Sequence, residues 1–180
     1  MQPKLKILYE NTIIPHMYKK FAYTNIHQVP KLKKIQISRC LGISAQNSNV
    51  LKKSIEEFRF IAGQQPTITK AKKSISGFKL REGMPIGLTV TLRSKSMYYF
   101  LERFVNLALP RIRDFQGLNM GSFDYYGNYN LGLKDQLIFP ELEYDEIDQT
   151  LGFNVSFITT AKTKEEGVVL LRELKLPIFK

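Results

Sequence analysis

Three patterns in this 180-residue chain predict an α+β fold, with a largely antiparallel sheet and helices packed on one of its faces. Residues 33–38, 86–93 and 152–160 alternate apolar and polar side chains, as half-buried strands do. Residues 49–62, 97–108 and 163–174 repeat their apolar side chains at helical spacing. Two strand candidates, 67–70 and 86–93, follow each other across residues 71–85 with no helix between them, which favours an antiparallel pair.

The elements follow in order. Residues 4–22 read as a helix with Leu5, Leu8 and Tyr9 on one side, interrupted or offset by Pro15. In 33–38, Ile35 and Ile37 face one way and Lys34, Gln36 and Ser38 the other. Cys40 ends that pattern and is expected as a small buried side chain. Asn47 or Ser48 is expected to cap the helix carrying Leu51, Ile55, Phe58 and Ala62, and Gly63 to stop it. In 86–93, Ile86, Leu88, Val90 and Leu92 share one face, and Thr89, Thr91 and Arg93 the other. Met97, Phe100, Leu101, Phe104, Val105 and Ala108 form a helical stripe that Pro110 ends. Residues 109–132 are rich in Gly and Tyr and read as irregular. Phe153, Val155 and Phe157 point inward from the last long strand, and Asn154 and Ser156 outward. Thr163 and Glu166 form a capping box for a helix with Leu170, Leu171 and Leu174 on its core side, and Pro177 follows its end. No repeat, low-complexity tract or linker is visible, so residues 1–180 read as one domain.

Composition narrows the function classes. With 43% hydrophobic and 12% aromatic residues the chain can fill a core, so general disorder is excluded. No run approaches the roughly 20 apolar residues of a membrane span. One cysteine rules out an internal disulfide or a cysteine-based zinc site, and His16 and His27 have no partner motif for catalysis. No cofactor is expected. The first twenty residues lack the apolar run of a secretory signal and the composition of a transit peptide. The expectation is a protein that works where it is made or whose targeting segment has been removed. The net charge of +11 is unevenly placed: residues 1–120 hold 21 Lys and Arg against 6 Asp and Glu, residues 121–180 hold 6 against 10. The first two-thirds is therefore suited to a polyanion.

Four constellations have the chemistry for such a partner. Residues 71–85 hold Lys72, Lys73, Lys79 and Arg81 against one acid, Glu82, between Gly77, Gly83 and Pro85. This is either a basic arm that follows phosphates, with Phe78 stacking on a base, or a solvated hairpin loop with Phe78 tucked into the core. The polar faces of two strands, Gln36 and Ser38 with Thr89, Thr91 and Arg93, can meet ribose hydroxyls and phosphates or remain solvated. Arg111 and Arg113 project to the same side of an extended segment, toward phosphate or toward Asp114. The run FDYYGNYNLG, residues 123–132, offers aromatics for stacking or for packing the loop on its own domain. The acids Glu141, Glu143, Asp145, Glu146 and Asp148 can hold magnesium for RNA processing or form a solvated acidic surface.

Beyond these patterns, the blocks AGQQPTITKAKKSISGFKLREGMPIGLTVTLR, MYYFLERFVNLALPRIRDFQGL, GNYNLGLKDQLIFPELEYD and ITTAKTKEEGVVLL follow one another in order. Together they resemble the bacterial-type family of large-subunit ribosomal protein five over essentially the whole chain. The resemblance implies a structural, non-enzymatic protein that binds 5S rRNA in the central protuberance. It also implies contacts with large-subunit rRNA, the small-subunit head, neighbouring ribosomal proteins of both subunits and the peptidyl-site tRNA, with no membrane. It maps the 5S contact to Gln64, Thr91 and Phe78. Gln36, Ser38, Arg39, Lys70, Lys72, Lys73, Thr89, Arg93, Arg111 and Arg113 complete the expected rRNA set. The tRNA-facing loop maps to residues 72–84, with Ser76, Gly77, Lys79 and Arg81 at the contact. Ser38 stands where the family usually has Asn, with Arg39 expected to compensate through a phosphate, and Gln65 stands where a basic residue is common. The blocks are similar to cyanobacterial and plastid members, which implies the plastid stroma, with bacterial cytoplasm as the second choice.

Overall fold

The computed structural model describes residues 3–142 and 150–179. Its main sheet has five strands in the order β2-β3-β1-β6-β5, and is mostly antiparallel. These are β1 (Leu32–Cys40), β2 (Thr67–Lys70), β3 (Pro85–Leu92), β5 (Tyr129–Leu133) and β6 (Phe153–Thr159). A two-residue strand β4 (Leu118–Asn119) pairs in parallel with β7 (Ile178–Phe179). The helices are α1 (Lys4–Leu8), α2 (Ile14–Phe21), α3 (Ser48–Ala62), α4 (Ser94–Arg103) and α5 (Lys164–Glu173). The expected α+β class is observed.

The chain divides into two compact units. The first comprises Met1–Ile35, Arg93–Leu131 and Ser156–Lys180; the second comprises Gln36–Leu92 and Gly132–Val155.

In the first unit, Leu5, Tyr9, Ile13 and Met17 recur every four residues and are buried. The helix that carries them is not uniform, because a π-helical turn, Tyr9–Ile13, separates α1 from α2. A second π turn, Phe104–Ala108, extends α4. Each ends two residues before a proline, Pro15 and Pro110. Proline has no N–H to give and its ring crowds the carbonyl four residues back, so the widened turn accommodates it. Pro15 thus offsets the helix without ending it. α1 packs on α4. The rings of Phe100 and Phe104 stack at 5.7 Å, and Phe157 of β6 lies 5.8 Å from Phe104 and 6.3 Å from Tyr129 of β5. Each such fully buried side chain stabilises the fold by about 1.5–3 kcal/mol. α5 contributes Leu170 and Leu171, and Leu174 follows at its C-cap, all three buried. Thr163 Oγ1 accepts from the Glu166 N–H, while Glu166 Oε2 reaches back to the Lys162 N–H at 2.8 Å, one residue before the usual capping-box donor.

In the second unit, Ile37, Leu88, Val90 and Leu92 are buried, and α3 packs on β3. Phe58 and Phe153 meet edge to face at 6.3 Å, and Phe139 adds a further ring 5.8 Å from Phe153. Gly63 ends α3 with φ +67 and its N–H bonded to the Arg59 carbonyl.

Three expectations are corrected here. Residues 129–133 form a sheet strand, although Asn130 and Gly132 weaken the strand signal. Asn47 occupies the N-cap position of α3 without a side-chain hydrogen bond. Cys40 is exposed, because strand alternation sets it with Gln36 and Ser38 on the open face.

Candidate nucleic-acid interface

The second unit presents a polar sheet face. β2 pairs antiparallel with β3 in a register that sets Thr67 opposite Thr89 and Thr69 opposite Gly87. Opposed residues share a face, so Thr67, Thr69, Thr89 and Thr91 project together. Gln36 and Ser38 of β1 lie on the same side: Gln36 Nε2 donates to Thr89 Oγ1 at 3.4 Å, and Thr89 Oγ1 donates to the Ile37 carbonyl at 3.4 Å. These two long bonds link the Thr89 hydroxyl and the Gln36 amide across β1 and β3. Gly87 lets the strands approach: a Cβ there would lie 2.3 Å from the Arg39 carbonyl oxygen. Gln64 is exposed in the turn that Gly63 opens between α3 and β2.

The sheet face continues into the hairpin between β2 and β3. Its neck is closed by Ala71 N–H to the Met84 carbonyl at 2.8 Å and Gly83 N–H to the Ala71 carbonyl at 3.0 Å. Ile75 and Leu80 bond to each other across the tip at 3.0 and 3.2 Å, and a single 3-10 turn, Ser76–Phe78, caps it. The segment that reads as a long loop is thus a hydrogen-bonded extension of the hairpin. Lys70, Lys72, Lys73, Lys79 and Arg81 are all exposed on it, with Ser76 and Gly77 at the apex. Phe78 is 66% exposed, which excludes the tucked-in alternative. Lys79 follows it at φ +53. Thr67 and Thr69 escaped sequence reading, although the alternation Thr-Ile-Thr-Lys was there to show them.

Arg39 does not belong to this surface. It is 2% exposed, its guanidinium pairs with Glu57 at 2.5 Å and Gln136 at 2.6 Å, and it stacks 4.8 Å from the Phe58 ring centre. Strand alternation puts it with Ile35 and Ile37, so it cannot compensate for Ser38 through a phosphate. Burial lowers its pKa, and Glu57 opposes that shift.

The first unit carries the remaining candidates. Arg93, Arg111 and Arg113 are exposed. Arg111 closes a 3-10 turn, Leu109–Arg111, so the extended geometry expected for the two arginines does not hold. Among the described residues neither pairs with Asp114. Glu143, Asp145, Glu146 and Asp148 lie outside the described residues. No group of three metal-ligating side chains occurs among the described residues, and none of their helices is long and apolar enough to cross a membrane.

Comparison with known proteins gives this geometry its context. The family described as ribosomal protein L5 matches residues 25–81, and the ribosomal L5P family C-terminus matches residues 85–178. The chain belongs to this ribosomal protein family. The large ribosomal subunit protein uL5 of Trichodesmium erythraeum is 58% identical over 177 residues, 98% of either chain. That of Microcystis aeruginosa is 57% identical over 177 residues, 98% of this chain and 99% of its own. The uL5c protein of Heterosigma akashiwo is 56% identical over 180 residues, 100% of this chain and 99% of its own. As a uL5-family member the protein is a structural component of the large ribosomal subunit, associated with rRNA and other ribosomal proteins, and is not an enzyme. The magnesium-dependent processing alternative is thereby set aside.

Proposed function

We propose that this uL5-family protein binds 5S rRNA in the central protuberance through the polar face of β1, β2 and β3. The observation that carries the reading is the continuity of that face with an exposed, cation-rich hairpin. Gln36, Ser38, Thr89 and Thr91, with Thr67 and Thr69, meet ribose hydroxyls and set the register. Gln64, in the turn before β2, adds a hydrogen-bonding amide, and Phe78, exposed at the hairpin tip, adds a stacking ring. Lys70, Lys72 and Lys73 supply phosphate contacts, each releasing about one counterion. The hairpin apex, Ser76, Gly77, Lys79 and Arg81, reaches the peptidyl-site tRNA. Arg93, Arg111 and Arg113 engage large-subunit rRNA, and other surfaces meet neighbouring ribosomal proteins, including those of the small-subunit head. The protein acts as one ribosomal-protein domain in the ribosome of a plastid stroma. Purification from its native ribosomes tests this reading directly: 5S rRNA should accompany the protein through partial disassembly, and its absence would count against the reading.

A further inference from the structure

Arg39 lies beneath the polar face of the second unit, and its main chain and side chain are engaged in different directions. Ser38 and Cys40 flank it on the open face. The Arg39 carbonyl oxygen is the atom against which Gly87 of β3 is pressed, with no room for a Cβ between them. The Leu41 N–H beyond it donates to the Ile86 carbonyl at 2.9 Å, and the Ile37 carbonyl before it accepts from Thr89 Oγ1 at 3.4 Å. The Arg39 main chain thus lies in the seam between β1 and β3, the seam that sets Gln36 beside Thr89.

The side chain turns the other way, into the core. Nη1 donates to Glu57 Oε2 of α3, and Nη2 donates to Gln136 Oε1 at 2.6 Å and to the Leu151 carbonyl at 3.4 Å. The guanidinium carbon stands 4.8 Å from the ring centre of Phe58 and 6.0 Å from that of Phe153. One planar group is therefore held from α3, from residue 136 and from residue 151.

Stability alone does not account for a cation in this place. Phe58 and Phe153 make a surround in which a methionine would pack with no charge to desolvate, and apolar replacements of buried ion pairs are often as stable or more so. Arg39 Nε is buried with no hydrogen-bond partner among the described residues, a further cost that a methionine does not carry. What the guanidinium supplies, and a methionine does not, is direction: charge-assisted bonds that admit one placement of β1 over α3. A binding face is kept in a productive geometry by packed, hydrogen-bonded residues behind it.

We infer that Arg39 is a positioning residue for RNA recognition: from beneath the face it fixes β1 against β3, and so the spacing of Gln36 and Ser38 from Thr89 and Thr91. The inference rests on the proposed 5S rRNA reading and extends it to a buried residue that touches no RNA.

The test uses the full chain with Arg39→Met and Glu57→Leu together, which removes both charges and leaves Gln136 its bond to the Leu151 N–H. The urea midpoint should stay near that of the unsubstituted chain. In gel shifts, the preference for 5S rRNA over a scrambled RNA of equal length should fall about tenfold, the loss of roughly one well-placed hydrogen bond to the RNA. Affinity for the scrambled RNA and the salt slope should not change, because no phosphate contact is lost. Hydrogen exchange at the Leu41 amide, measured without RNA, should quicken about tenfold as the seam loosens. Arg39→Lys keeps a cation for Glu57 but has no second arm for Gln136. It should lose about threefold in preference, and it decides the matter if the double variant does not fold. A folded variant that keeps its full preference for 5S rRNA would make Arg39 a purely structural residue and overturn the inference, as would unchanged exchange at Leu41. A salt slope lower by about one would make Arg39 a phosphate contact and overturn it too. If the unsubstituted chain shows no preference, the proposed function falls, and exchange at Leu41 still decides whether Arg39 fixes the seam.

Discussion

Arg39 of β1 and Glu57 of α3 form a buried ion pair, 2.5 Å from Nη1 to Oε2, with Glu57 only 14% exposed. Gln136 Oε1 accepts from the same guanidinium at 2.6 Å and from the Leu151 N–H at 3.3 Å, so one arginine ties β1, α3 and both ends of the 136–151 segment together. Removing one partner leaves an uncompensated buried charge, which costs about 3–5 kcal/mol, whereas replacing both with apolar residues of similar size can be nearly neutral. Glu57→Ala should therefore lower stability in urea unfolding by about 3 kcal/mol, and Arg39→Met with Glu57→Leu by much less than the sum of the single changes. Additive losses would show that the pair is not coupled.

At Gly87, β3 runs tight against the β1 backbone. Gly87→Ala brings a methyl carbon against the Arg39 carbonyl at a separation no Cβ tolerates. The strand must shift, at about 1–3 kcal/mol. Denaturant midpoints should show that loss, and 5S affinity should fall with it as Thr89 and Gln36 move apart. Unchanged stability would mean that β3 has room to move there.

The hairpin cations divide by position. Lys72→Gln and Lys73→Gln should each reduce the salt slope of 5S binding by about one. Lys79→Asn, which removes the charge yet tolerates the left-handed backbone at φ +53, should leave that slope unchanged, as should Arg81→Gln. Both should impair tRNA contact in assembled ribosomes, read by chemical footprinting of the tRNA. Collapse of 5S binding in the apical variants would refute this division.

Burial pushes the Tyr9 phenol up to about 12, and its hydroxyl donates to the Pro30 carbonyl at 3.1 Å. The folded state therefore keeps the proton longer than the unfolded state, whose phenol titrates near 10. Stability from this group is complete below pH 10 and is lost as pH rises toward 12. Urea unfolding across that range should steepen in loss with pH, and Tyr9→Phe should flatten the dependence while costing about 1 kcal/mol for the hydrogen bond.

Much of this was legible in residue patterns, because long alternating or helical runs leave few alternatives. Val90 and Phe157 are buried where two-residue alternation puts them, and Phe100 and Leu171 where helical spacing does. The same rule, applied to Arg39, turns it inward; the expectation that it stands in for the family's usual Asn through a phosphate follows the resemblance and overlooks the alternation. Tyr129–Leu133 was missed because a strand with Asn and Gly owes its place to neighbours in the sheet, not to its own propensity. The two-residue strands β4 and β7 have no local signal at all. Phe78 and the tyrosines of FDYYG could not be assigned from sequence, since an aromatic beside glycine packs inward or outward according to bonds made elsewhere in the fold. Here Phe123 and Tyr129 went in, and Tyr125 and Tyr126 stayed out.

The central claim, that the sheet face and its hairpin recognise 5S rRNA, is tested most directly by gel-shift titration of the full chain against 5S rRNA and a scrambled RNA of equal length. The unsubstituted protein should prefer 5S rRNA. Gln64→Ala and Thr91→Ala should each weaken that binding about five- to tenfold, roughly one hydrogen bond, with little change in unfolding midpoint. Equal affinity for the two RNAs would contradict the account.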